Sequence, residues 1–92
     1  MSASDWTFLS NHGHVLVFLS QNPDARITDI AQTVGITERA TQSIIADLER
    51  DGYIKISKVG RRNRYKINAK ARFRHPAESH QSVAALLGIF AD

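Results

Sequence analysis

The chain has 92 residues, with 12 Lys and Arg against 9 Asp and Glu for a net charge of +3, and no cysteine. With 42% hydrophobic and 23% charged residues this describes one small globular domain, and it excludes a disulfide scaffold, a thiolate metal site and a cysteine nucleophile. No apolar run approaches the ~18 residues of a membrane span, and the acid-bearing start lacks a basic n-region, so no signal peptide and a cytoplasmic address are expected.

Residues 5–20 predict the first helix, with Asp5 as its cap and Asn22 and Pro23 as its stop. Its apolar residues are Trp6, Phe8 and Leu9 and then the unbroken run Val15, Leu16, Val17, Phe18 and Leu19, which wraps around the helix. A helix apolar on all sides is buried on all sides, so a second chain is expected to cover its far face. Residues 25–27 predict a brief strand after a Pro-Asp turn. Thr28 then caps a second helix with Ile30, Ala31 and Val34 on one face and Gly35 at its end. Thr37 caps a third helix, about residues 37–51, and Gly52 ends it. Its buried stripe is Thr41, Ile44, Ile45 and Leu48.

Beyond Gly52 the apolar period changes to two. Residues 53–57 and 64–68 alternate around a loop of residues 58–63 that contains Gly60 and Asn63, which predicts a β-hairpin over about residues 53–68. Gly60 and Asn63 are expected to take up the positive φ angles of a tight tip. Ile54, Ile56, Tyr65 and Ile67 would face the core, and Lys55, Ser57, Arg64 and Lys66 the solvent. Residues 69–76 form a basic connector. Pro76 suits the first turn of a last helix, along which Val83, Leu86, Leu87 and Phe90 form a stripe. An exposed stripe of that kind is a liability, so it is expected to pack on the first helix or on a partner subunit. The fold class is mainly α with a small β-hairpin.

The charge is unevenly placed. Residues 55–74 hold nine cations and no acid, so this stretch carries +9 and the rest of the chain −6. A basic block on an acidic body attracts a polyanion at one place and repels it elsewhere. Ile54, Ile56, Val59, Tyr65, Ile67 and Phe73 alternate with those cations, which argues for a folded basic surface rather than a disordered tail.

The central part, residues 27–37, places the small Ala31 and the turn-making Gly35 as in a helix-turn-helix. Residues 46–54 resemble the end of a recognition helix leading into a wing, and residues 59–65 resemble the wing itself. Over about residues 12–68 the chain resembles winged helix-turn-helix transcriptional regulators of the MarR/ArsR-like group. Residues 69–92 resemble the C-terminal dimerisation helix of many such regulators, within the same compact unit as residues 1–68.

That resemblance implies a sequence-specific regulator that binds double-stranded DNA. In such a motif the second helix enters the major groove, with its N-terminal residues facing the bases. Opposite the buried stripe lie Glu38, Arg39, Gln42, Ser43 and Ala46. Arg39 has the paired donors that suit guanine O6 and N7. Gln42 matches adenine N6 and N7, and Ser43 suits a base edge or a phosphate. Thr37 at the helix start, with Lys58, Arg61, Arg62 and Arg64 on the wing, is expected to meet phosphates or the minor groove. Trp6, Leu9, Val83, Leu86, Leu87 and Phe90 are the expected interface of a homodimer, which would read a near-palindromic operator with half-sites ~34 Å apart.

No catalytic constellation, phosphate-binding glycine loop or paired carboxylate is present, so an enzyme, a cofactor and a membrane partner are not expected. His12, His14, His75 and His80 have poor spacing for one metal and read as packing or capping residues. An effector ligand has no sequence signature. Two other functions fit the same pattern. One is a winged helix that docks an acidic protein through its basic block, and the other is a nucleic-acid-binding module without sequence choice.

Overall fold

The computed structural model describes residues 6–91. The elements run α1 (Asn11–Gln21), α2 (Ile27–Val34), α3 (Glu38–Arg50), β1 (Ile54–Val59), β2 (Arg62–Ile67) and α4 (Val83–Phe90). Helix α1 starts well inside the expected 5–20 span, and Asp5 lies outside the described residues. Two local interactions set this start. The Thr7 hydroxyl donates to the Leu9 carbonyl at 2.6 Å, which competes with helical bonding, and Ser10 in an extended conformation accepts from the Gly13 N–H at 3.3 Å. Ahead of the cap, Trp6 and Phe8 pack edge to face with ring centroids 5.0 Å apart.

The chain itself covers α1. Val15, Leu16 and Leu19 are buried, Val17 and Phe18 half-buried, and α2, α3, β2 and α4 all pack against the helix. Burying α1 therefore requires no second chain: hairpin and last helix supply the cover.

Residues 25–27 form no strand. Pro23 accepts the Tyr65 N–H at 2.9 Å, but it has no N–H to return, and the Ala25 N–H is spent on the Asn22 carbonyl at 3.1 Å. One bond cannot grow into a ladder. The chain passes directly into α2, whose cap is Arg26 rather than Thr28. Arg26 gives no side-chain bond to the helix end, and Asp29 in the first turn offsets the positive end of the dipole.

Helices α2 and α3 are joined by residues 35–37. Gly35 adopts φ +86°, a left-handed conformation that glycine takes without steric cost, and closes α2 through its N–H to the Ala31 carbonyl at 2.8 Å. Thr37 then caps α3 by accepting from the Ala40 N–H at 3.0 Å. The buried stripe of α3 is Thr41, Ile44, Ile45 and Leu48. Thr41 is fully buried at no polar cost, because its hydroxyl donates to the Thr37 carbonyl at 2.9 Å.

The hairpin is longer and tighter than its expected strands and six-residue loop. Its antiparallel register runs from Ile54 opposite Ile67 to Val59 opposite Arg62, leaving Gly60 and Arg61 as a two-residue turn. Gly60 has φ +65° and among the described residues no non-glycine residue has positive φ, so glycine fills the one turn position that demands it. Asn63 is not part of the tip; it pairs with Lys58 in the ladder. Ile54 and Tyr65 are buried in the core, with Ile56 and Ile67 packed beside them.

The last helix starts later than Pro76. Residues 74–80 form turns in which His75 Nδ1 accepts from the Ala77 N–H at 3.0 Å and the His75 carbonyl accepts from Glu78 at 2.9 Å. Arg72 bridges Ser82, and the N–H groups of Val83 and Ala84 donate to Ala71 and Ala69 at 2.7 and 3.0 Å. Those main-chain bonds satisfy first-turn donors of α4 and so fix where it begins. Val83 is fully buried in the core of its own chain, and Leu87 and Phe73 pack against that core. Val83 therefore has no surface left for a dimer interface. Among the described residues no helix is long and apolar enough to cross a membrane.

Candidate nucleic-acid interface

The local rules that bury the stripe of α3 also fix what it shows to solvent. With Thr41, Ile44, Ile45 and Leu48 inward, Glu38, Arg39, Gln42, Ser43 and Ala46 are exposed. Arg39, Gln42 and Ser43 stand at i, i+3 and i+4, one above another in the first two turns. Thr37 is exposed at the helix start, where its hydroxyl oxygen is committed to the Ala40 N–H.

The opposite end of α3 is closed by an ionic network. His12 Nε2 donates to Asp47 Oδ2 at 2.8 Å, and Arg50 Nη1 lies 3.1 Å from Asp47 Oδ1. Arg50 also pairs with Asp51 at 3.3 Å, and Asp51 takes Arg74 from the connector at 3.1 Å. The His12 hydrogen bond, helped by Arg50, holds the Asp47 carboxyl below its ordinary value. Asp51, and then Asp47, push the Arg50 guanidinium above its own. The network ties α1, α3 and the connector together around a groove of ≈ 580 Å³ lined by Phe8, Leu16, Leu48, Tyr53 and Phe73 among others. Sequence reading left all of it out, because His12 and Asp47 are 35 positions apart and carry no joint signal.

The wing presents Lys58, Arg61, Arg62 and Arg64, all exposed. They are not equivalent. Arg61 sits in the turn itself. Arg62 Nη2 donates to the main-chain carbonyl of Asp24, and Arg64 Nε lies 3.7 Å from Asp24 Oδ1. Between the wing and the start of α2 lies a cleft of ≈ 370 Å³ lined by Arg26, Lys58, Arg61 and Arg62, with Ala25, Ile27, Asn63 and Tyr65, and by no carboxylate. Arg26 and Asp24 are additions that the sequence did not single out. On the outer face of the hairpin Lys55 stands opposite Lys66 and Ser57 opposite Arg64.

Of the six residues expected at a dimer interface, Trp6 is 65% and Phe90 41% exposed, and Leu9, Leu86 and Leu87 are half-buried, leaving Val83 as the one that the chain's own core takes up. Phe8 and Ile89 are more exposed than any of them. Among the described residues no three His, Cys, Asp or Glu side chains gather as a metal site would require.

Comparison with known proteins fits this geometry. A family described as winged helix-turn-helix DNA-binding matches residues 10–55, which is half of the chain. No curated protein matches. Among solved structures, the zinc-dependent MarR family transcriptional regulator AdcR in its Zn(II)-bound state superposes with a TM-score of 0.55 at 20% sequence identity. The likeness covers 74% of this chain and 48% of that one, and at this identity it is a likeness of fold. The resemblance carried by residues 27–37, 46–54 and 59–65 is borne out, and the chain belongs to the winged helix-turn-helix DNA-binding family.

Proposed function

We propose that this protein is a sequence-specific transcriptional regulator that binds double-stranded DNA as a homodimer, and that its role is binding rather than catalysis. The observation that carries the reading is the outer face of α3, where Arg39, Gln42 and Ser43 are exposed together in the first two turns of the second helix of a helix-turn-helix. In that position they read base edges, Arg39 on guanine and Gln42 on adenine. Lys58, Arg61, Arg62 and Arg64 supply the sequence-independent attraction to phosphates or the minor groove, and Thr37 anchors the start of α3 on the backbone. Residues 69–92 belong to the same compact unit as residues 1–68, through Val83 in the core.

The homodimer reading rests on exposed and half-buried apolar side chains near both ends of the described residues. Trp6, Leu9, Leu86, Leu87 and Phe90 are its interface, joined by Phe8 and Ile89, which are 93% and 73% exposed. Two copies would engage a near-palindromic operator with half-sites ~34 Å apart. The mass of the protein in solution tests this part directly, and a monomer at micromolar concentration would overturn it.

Titration of a labelled random-sequence duplex at several salt concentrations tests the DNA reading. The expected result is a log K that falls steeply with log salt, by ~0.9 per phosphate contacted. Arg61→Ala with Arg62→Ala should weaken all duplexes alike and flatten that slope by up to about two such units. Absence of binding at low salt would overturn the reading and leave the basic block as a surface for an acidic protein.

A further inference from the structure

The turn between α1 and α2 is seated on the wing. Pro23 accepts the Tyr65 N–H at 2.9 Å, the Asp24 carbonyl accepts from Arg62, and Asp24 Oδ1 lies 3.7 Å from Arg64 Nε. Residues 55–74 hold nine cations and no acid. Among the described residues, Asp24 is the one carboxylate that pairs with a cation of β1, β2 or their turn.

This carboxylate adds little to the fold. Both members of the Asp24–Arg64 pair are more than half exposed, at 58% and 57%, so water and salt screen it. Its effect on a polyanion is larger in kind, because a phosphate drawn to Arg64 meets a fixed negative charge on the same guanidinium. Arg62 is held differently by the same residue. Its bond runs to a main-chain carbonyl, which any residue at position 24 would supply.

We propose that Asp24 is a specificity-determining residue of the DNA interface, whose carboxylate engages Arg64 and subtracts from the wing's pull on any phosphate backbone. Sequence-independent binding is thereby kept weak, while the base-reading face of α3 is untouched. The wing keeps its shape through Arg62 and the Pro23–Tyr65 bond, and surrenders one unit of attraction through Arg64. This inference rests on the reading of the wing as a DNA-contacting element.

Asp24→Asn isolates the charge, since it preserves the size of the side chain and the carbonyl that Arg62 uses. The probe is a random-sequence duplex titrated over a series of salt concentrations. The variant should bind roughly 2–5-fold more tightly at low salt, and its log K should fall more steeply with log salt by ~0.9, one additional phosphate. In an Arg64→Ala background the same substitution should change neither quantity. Equal or weaker binding by Asp24→Asn, or the same gain when Arg64 is absent, overturns the proposal and leaves the DNA reading standing. Wild-type protein that binds no duplex at low salt overturns both.

Discussion

The stretch from Ile27 to Ile67 and the segments on either side of it are built by different means. In the first, the junctions between successive elements are set by neighbours in sequence: Gly35 closes α2, Thr37 opens α3, and Gly60 turns β1 into β2. In the flanking segments α1 is still capped locally by Ser10, but the connector and α4 are held by ties that run far along the chain. Tyr53 donates its hydroxyl proton to the Arg72 carbonyl at 2.6 Å, Gln21 reaches the Phe90 carbonyl at 2.9 Å, and Arg74 reaches Asp51 at 3.1 Å. A surface meant to meet a ligand gains from a scaffold whose geometry is locally determined, since errors elsewhere do not propagate into it. The ends serve another purpose: they complete the core and, Val59 apart, carry the exposed large apolar side chains among the described residues.

Val83→Asp is the strongest way to break that contrast. Val83 is fully buried, so an unpaired carboxylate there costs several kcal/mol out of a total of about 5–15. At ~4–8 °C per kcal/mol for a domain of this size, the thermal midpoint should fall by tens of degrees, as followed by far-ultraviolet circular dichroism. A midpoint that stayed in place would show that α4 is an appendage with no share in the core.

Gly35→Ala asks how far the central stretch depends on its local punctuation. A side chain at φ +86° costs about 1–2 kcal/mol even with open space around it, as is the case at Gly35. The midpoint should drop by roughly 4–16 °C, with a parallel loss of DNA affinity only where the turn re-aims α3. An unchanged midpoint would mean that the packing of α2 against α3 sets the turn.

The smallest effect concerns the junction between the two regions. The folded-state pKa of Asp47 is lowered, so its ionic contribution is present above the unfolded carboxylate value of ~3.9 and is lost as the pH falls through the lowered value. Asp47→Asn should therefore lower stability slightly at neutral pH and flatten the acid limb of a pH–stability curve. Superimposable acid limbs for the two proteins would remove Asp47 as a contributor.

The bounds of α3 were legible to within a residue at each end because a cap, a stripe at helical spacing and a terminating glycine all agree there. The alternation around Gly60 announced the hairpin, although the sequence alone left its loop four residues too long. The start of α4 was not legible. It depends on carbonyls of Ala69 and Ala71, which no pattern near Pro76 encodes. The missing strand at residues 25–27 follows the same logic, since its fate was decided by the absent N–H of Pro23 opposite Tyr65. The exposure of Arg39, Gln42 and Ser43 followed directly from the buried stripe. The seating of Asp24 on the wing did not, for it joins distant parts of the chain: its carbonyl takes Arg62, 38 positions away, and its carboxylate faces Arg64.

The two-residue turn at Gly60 and Arg61 constrains how the wing can vary in length. Side chains alternate strictly along β1 and β2, and the turn has no slack to absorb an odd residue. Adding one residue to each strand above the Ile56–Tyr65 pair would move the Val59–Arg62 pair onto the face now held by Lys58 and Asn63. Adding two would restore the original facing. The reach of this wing is therefore a stepped quantity, adjustable in increments of about 7 Å, the rise of two strand residues. Any lengthening that preserves its outward cations must come in pairs.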